Sequence, residues 1–339
     1  MEARNRILMM IVLLFAAMAA DKVQGQNHKQ AATSPSDADA DFAFLGEYYG
    51  CVSGHGIIGL QVVPLGGGQF SAMVYRGGLP GNGWDRTTRF QLAGKSQRDS
   101  LQFKNSDLRI DIRGVHAQVH GPTGKMLGEL RKMDRRSRTL GARPPANAQV
   151  LFDGRDATAF KNARVKNGLL QIGTELIPRF RDFRFHIEFM VPYMPHAKGQ
   201  GRGNSGVYLQ SRYEVQILDS FGLEGKFNEC GALYRYQAPN QNMAFPPLSW
   251  QTYDITFQAP RFDANGEKTR NGRITVLHNG VPVHSHFELE RKTGAGRKEG
   301  ADLFPIKLQD HGNPVQFRNI WIVDRSACHP RSAVQRRFR

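Results

Sequence analysis

Apolar positions along this chain come in short runs, many alternating one-on, one-off with polar residues, and the runs are separated by glycine-rich turns. GLQVVPL at 59–65, FSAMVYRGG at 70–78, LRIDIRG at 108–114 and VHAQVHG at 115–121 carry the period of two that predicts half-buried strands. A second set follows, among them LLQI at 169–172, FRFHIEFMV at 183–191, SGVYLQ at 205–210, YEVQILD at 213–219, TYDITFQA at 252–259 and QFRNIWIV at 316–323. No helical period of ten residues or more interrupts them. Many short strands without βαβ alternation predict an all-β chain: a small antiparallel β domain at 42–130, then a two-sheet sandwich of jelly-roll type over 150–325. Asn279-Gly280, between ITVLH and VPVH, predicts a two-residue hairpin.

Polar stretches set these units apart. Arg4 and Arg6 precede an uncharged run from Ile7 to Ala20 and then polar text, the pattern of a secretory signal peptide assigned to 1–25. The mature protein is therefore expected in the periplasm or outside the cell. Residues 26–41 are polar and rich in Ala, Asp and Ser, which predicts a flexible leader. Residues 131–149 combine six basic residues up to Arg143 with Pro144-Pro145 and predict a basic, solvated linker; 326–339 form a basic tail.

The net charge of +16 raises the question of a nucleic-acid partner. Much of it lies in the linker and the tail, without an amphipathic helix or an aromatic-interleaved groove, so neither nucleic acid nor integral membrane contact is expected. Association with anionic polymers stays open. GGG at 66–68 and GGLPGNGWD at 77–85 lack a following helix, which argues against a phosphate-cradling loop. Cys51, Cys230 and Cys328 permit at most one disulfide and offer no C-x-x-C zinc motif.

The words GNSGVYLQSRYEVQILDSFG (203–222), WQTYDITFQAPRF (250–262) and PIKLQDHGNPVQFRNIWI (305–322), following LFDG (151–154), resemble the 3-keto-disaccharide hydrolase family over roughly 150–323. The resemblance implies a concanavalin A-like sandwich acting on sugars whose C3 hydroxyl is oxidised to a ketone. In YEVQILDS, strand alternation sets Glu214 and Gln216 on one face and Tyr213, Val215 and Ile217 on the other. The Glu-x-Gln-x-x-Asp order departs from the Glu-x-Asp-x-x-Glu pattern of retaining endoglucanases, because Gln216 cannot ionise. Retaining hydrolysis needs two carboxyl groups roughly 5 Å apart, so a one-base mechanism suits this strand better.

A 3-keto group acidifies the C2 proton, so one base and one carbonyl-polarising group suffice for loss of the C1 substituent. Glu214 and His311 are the candidate acid/base residues. Tyr208, Gln210, Gln216, Gln309, Arg318, Arg202 and Asn204 are candidate sugar-binding residues, with Arg318 expected to pair with Glu214 or Glu188. His186 and Glu188, two apart on one strand, form a candidate pair of ligands for a divalent ion that would polarise the ketone; a structural calcium is the alternative. The expected function is cleavage of 3-keto-glycosides; a lectin-like binding module and a conventional glycoside hydrolase are the other readings.

Overall fold

The computed structural model describes residues 31–326, so the signal peptide, most of the basic tail and Cys328 lie outside the described residues. The first unit has eight antiparallel strands: Gly46–Val52, Gly56–Gly66, Gln69–Arg76, Arg89–Gln97, Ser100–Lys104, Arg109–Arg113, His116–His120 and Met126–Met133. Each pairs with the next, and the last pairs with the first, so the small antiparallel unit is a closed barrel. Closure abolishes the exposed edges that an open eight-stranded sheet would leave. The seam depends on glycine: a Cβ on Gly50 would lie 2.3 Å from the carbonyl oxygen of Glu129, and one on Gly128 would lie 2.4 Å from that of Cys51. Inward positions fill the interior with Tyr48, Leu60, Phe70, Leu101, Phe103, Ile112 and Leu130, all buried.

The second unit is a sandwich of two antiparallel sheets. One carries, in spatial order, Phe160–Lys161, Thr174–Leu176, Lys307–Leu308, Ser205–Leu209 and Tyr213–Ile217. The larger has eight strands and is centred on Asp182–Met190, flanked by Gln251–Gln258 and Gln316–Asp324. Between the sheets sit Val207, Leu209, Tyr213, Val215 and Ile217 from one side and Phe183, Phe185, Ile187, Phe189, Tyr253, Ile255 and Phe257 from the other. Burying each such side chain contributes about 1.5–3 kcal/mol, enough to fix the register of both sheets. Asn279 and Gly280 both adopt positive φ (53° and 76°), and His278 pairs with Val281, the two-residue hairpin the sequence predicts.

Two segments expected to be loose are tied down. In the leader, Ala32 exchanges backbone hydrogen bonds with Tyr193, the Tyr193 hydroxyl donates to Asp39 (2.8 Å), and Gly68 N donates to Asp41 (2.8 Å). The expectation of a flexible leader is therefore corrected from residue 31 onward. Small apolar contacts drive the ordering: Ala32 and Leu45 are buried with Val63, Tyr193 and Phe221.

The linker is likewise not a solvated tether. Arg135 donates from Nη2 to the buried Glu47 (2.6 Å) and from Nη1 to Pro80 O (2.7 Å), with its guanidinium 5.2 Å from the Phe245 ring. Ser137 and Thr139 bond the Thr252 hydroxyl (2.6 and 2.7 Å). Charge misled the sequence reading here because a buried carboxylate, invisible in the linker's own composition, needs its cation. Cys51 is exposed and Cys230 is buried, and both are free thiols. No helix among the described residues is long and apolar enough to cross a membrane.

Candidate active site

Strand alternation gives the five-stranded sheet one apolar face toward the core and one polar face away from it. On the polar face the registers align Lys161 with Glu175, Glu175 with Lys307, Lys307 with Tyr208 and Tyr208 with Glu214. The result is a single row, perpendicular to the strands, of side chains that carry acid, base and charge. Gly206 and Gln216 face each other in the adjacent row. Gly206 has to be glycine, since an ideal Cβ there would meet Glu214 Oε1 at 2.3 Å.

Glu214 is buried, although it lies on the outer side of the sheet. Its strand is continued by backbone bonds from Tyr234 N to Glu214 O and from Gln216 N to Ala232 O, and Glu214 N donates to Thr293 Oγ1 (2.8 Å). Oε2 has no hydrogen-bond partner. Burial pushes the carboxyl up to about 7, with the Tyr208 hydroxyl and the Lys307 ammonium opposing the shift. Burial first, and the Glu214 charge second, push the Tyr208 phenol well above its ordinary value. A buried, incompletely bonded carboxyl near neutrality is suited to accept and return a proton.

Over this row opens a cavity of about 410 Å³ lined by Glu175, Tyr208, Ser211, Arg297, Lys307 and Gln309. Gln309 donates to the Tyr208 hydroxyl at 3.4 Å, while its Oε1 is buried without a partner. The Gln216 amide lies between Gln200, Asn204 and Glu214. With its nitrogen turned inward it donates to Ser205 O (2.7 Å) and Glu214 Oε1 (3.2 Å); the opposite orientation reaches Gln200 Oε1 (3.0 Å) and Asn204 Oδ1 (3.4 Å).

The structure thus gathers Tyr208, Glu214, Gln216, Gln309 and Asn204 and leaves other candidates elsewhere. His311 sits on the exposed turn after Gln309 and does not line the cavity. Gln210 adopts φ +48° in the hairpin and donates to Phe180 O (2.9 Å), so it does not extend the Tyr208 face. Arg202 binds Asp219 (2.6 Å), which fixes the second acid of the Glu-x-Gln-x-x-Asp order in a buried ion pair.

Arg318 belongs to the other sheet. It donates to Glu188 Oε2 (2.7 Å) and stacks over Trp250, with 4.0 Å to the ring centroid. Glu188 Oε1 accepts from Gly141 N (2.6 Å) and Asn319 (2.8 Å), and His186 bonds Asp254 (2.9 Å) while stacking on Trp321. Burial pushes Glu188 up, but the bonds from His186, Asn319, Arg318 and Gly141 outweigh it and bring the carboxyl down to about 2. Burial lowers the His186 imidazole, and Asp254 and Glu188 together raise it further than burial takes it down. With both carboxylate oxygens bonded and the His186 Nδ1 turned to Asp254, the pair does not fit a metal ion. No three His, Cys, Asp or Glu side chains converge as a ligand set among the described residues.

Sequence reading missed Lys307, Glu175 and Arg297. Lys307 was legible, since alternation in PIKLQDH puts it on the face of Gln309. Glu175, in the short strand Thr174–Leu176, carries no such signal; only the cross-strand register reveals it.

A two-sheet sandwich with a buried carboxyl, raised by burial and with one oxygen unbonded, beside a polar cavity is a candidate acid/base site on an all-β scaffold. The chain belongs to the 3-keto-alpha-glucoside-1,2-lyase-like domain family, whose model matches residues 147–323, and this makes it a glycoside-directed protein. Among solved structures it is similar to a provisionally assigned glycosyl hydrolase of Parabacteroides distasonis, at 33% identity over 53% of this chain and 84% of that one, with a TM-score of 0.49. A second such protein from the same organism shares 20% identity over 52% and 94% of the two chains, with a TM-score of 0.40. A search of curated proteins finds no match.

Proposed function

We propose that the protein is an exported enzyme that cleaves 3-keto-glycosides on a concanavalin A-like jelly-roll scaffold. The observation that carries this reading is Glu214: a carboxyl raised to about 7, with one oxygen unbonded, in line with Tyr208 and Lys307. In the proposed sequence, Glu214 removes the C2 proton of the keto-sugar. The electron pair forms an enolate with the C3 ketone, whose oxygen is stabilised by the Lys307 ammonium and the Tyr208 hydroxyl. Collapse of the enolate forms the C1–C2 double bond and expels the C1 substituent, which takes up the proton from Glu214. Water then adds its oxygen to C1 and a proton to C2, so the net reaction is hydrolysis. The description of the family as a 1,2-lyase agrees with the elimination half of this sequence. Gln309, Gln216 and Asn204 supply hydrogen bonds to ring hydroxyls.

The signal-peptide pattern at 1–25 supports export. Incubation of the purified protein with 3-keto-trehalose in deuterated water tests the reaction. Release of sugar with deuterium at C2 is expected, and release without C2 exchange would overturn the elimination route. A second reading, conventional hydrolysis of unoxidised glycosides, draws on Glu175, the carboxylate that lines the cavity, in place of Glu214, which lies three strands away in the row. It predicts release from trehalose itself.

A further inference from the structure

A second cavity, of about 540 Å³, is in neither sheet of the sandwich. It lies on the outside of the barrel, across the strands Arg89–Gln97, Ser100–Lys104, Arg109–Arg113 and His116–His120. Leu101, Phe103, Ile110, Ile112, Ala117 and Val119 point inward from these strands, so the residues between them point out. The pairing registers arrange the outer side chains in straight rows. Lys95, Gln102, Asp111 and Gln118 form one row; Gln97, Ser100, Arg113 and His116 form the next.

Charge in these rows is lopsided. Asp111 accepts from Arg109 (2.8 Å) and Gln102 (2.7 Å), so its charge is internally matched, while His120 Nδ1 lies 3.4 Å away without a hydrogen bond. Lys95 and Arg113 have no bonding partner among the described residues and both line the cavity. The face therefore offers two free cations in neighbouring rows, flanked by amides. Contact with the sandwich is made elsewhere on the barrel, through Val63 against Phe221 and through Gly81 against Met243.

We infer that this barrel face binds an extended anionic glycan, one that carries carboxylate groups, lying across the strands. Strands repeat every ~4.8 Å, close to the length of one hexopyranose unit, so consecutive sugars meet consecutive strands. Each sugar finds an amide or imidazole for its hydroxyls, and the carboxylates find Lys95 and Arg113. A single-stranded nucleic acid is less well served, because no Phe, Tyr or Trp lines the cavity for bases to stack on. The barrel would hold the sandwich on a polymer, independently of the chemistry at Glu214.

Calorimetric titration of the mature chain with polygalacturonate, neutral dextran and single-stranded DNA tests this. Binding of polygalacturonate, with little binding of dextran, is expected; the double variant Lys95→Ala/Arg113→Ala raises the dissociation constant about tenfold, whereas the charge-matched control Arg155→Ala/Lys166→Ala leaves it unchanged. Both pairs are exposed, so folding is preserved and is checked by thermal melting. The inference is overturned by absence of polygalacturonate binding, by an equal loss in the control, or by DNA binding more tightly with the same dependence on Lys95 and Arg113.

Discussion

Glu214 and Glu188 are each 1% exposed, one on each sheet of the same sandwich, yet their carboxyls are placed near 7 and near 2. Burial pushes both upward. The difference is in the partners: Glu188 is closed in by Arg318, Asn319, Gly141 and His186, whereas Glu214 keeps an oxygen without any. A saturated carboxylate holds structure together and has no capacity left for chemistry. An unsaturated one costs stability and is free to move a proton.

The largest expected effect separates the two by rate. Glu214→Gln keeps shape and hydrogen bonding but cannot take a proton, so turnover on a 3-keto-glycoside should fall roughly 10²–10⁴-fold with the melting temperature unchanged or raised. Steady-state kinetics and a melt on the same sample check it, and an unchanged rate would remove Glu214 from the mechanism. Glu188→Ala should do the reverse. It leaves His186 and Arg318 without their shared anion and frees the Gly141 N–H, so urea unfolding should show a loss of about 3 kcal/mol, at the lower end for a broken ion pair because Arg318 is partly exposed.

Acidity sharpens the contrast further, with opposite signs. The folded Glu214 carboxyl lies above its unfolded value of 4.5, so its stabilising contribution is present below about pH 4.5 and is lost as pH rises through about 7. The folded Glu188 carboxyl lies below 4.5, so its contribution is present above that pH and is lost as pH falls toward about 2. Stability measured against pH in the Glu214→Gln variant should lose its decline between 4.5 and 7 and retain the acid limb. The activity of the native protein should rise with pH through the same apparent value near 7.

A smaller effect is expected for Tyr208→Phe, which removes one hydrogen-bond donor from the developing enolate and should lower turnover ~10- to 100-fold, while moving the apparent pKa of the rate profile upward, because the lost hydroxyl no longer holds the Glu214 carboxyl down. The smallest is for Lys161→Ala, at the far end of the Glu214 row. Its ion pair with Glu175 is long, at 3.7 Å, and exposed, so stability should change by less than about 0.5 kcal/mol, as a denaturation midpoint would show.

Much of this was readable from residue order. Alternation in YEVQILDS separates Glu214 and Gln216 from the core-facing Tyr213, Val215 and Ile217, and the Asn-Gly pair marks its hairpin. Failures cluster where a residue's partner is remote in the chain. His311 and Gln210 look like site residues because they continue an alternating strand, but the strands end at Leu308 and Leu209, and past a strand end the period of two says nothing about direction. His186 and Glu188 read as metal ligands by spacing, whereas Gly141, Asn319 and Arg318 saturate one and Asp254 takes the other. The leader and linker read as loose because composition cannot show Tyr193, Glu47 or Thr252 waiting for them.

The sequence by itself determined the all-β character, the two units and the polar face on which Glu214 stands, since alternation, turn residues and chain length are local properties. Closure of the barrel, the row from Lys161 to Glu214, the rows from Lys95 to Gln118 and the burial that lifts one carboxyl while its counterpart is held down were decided by the tertiary structure. Strand register joins residues more than a hundred positions apart, and a proton's affinity for a side chain is set by the charges and donors that the fold brings within a few ångströms.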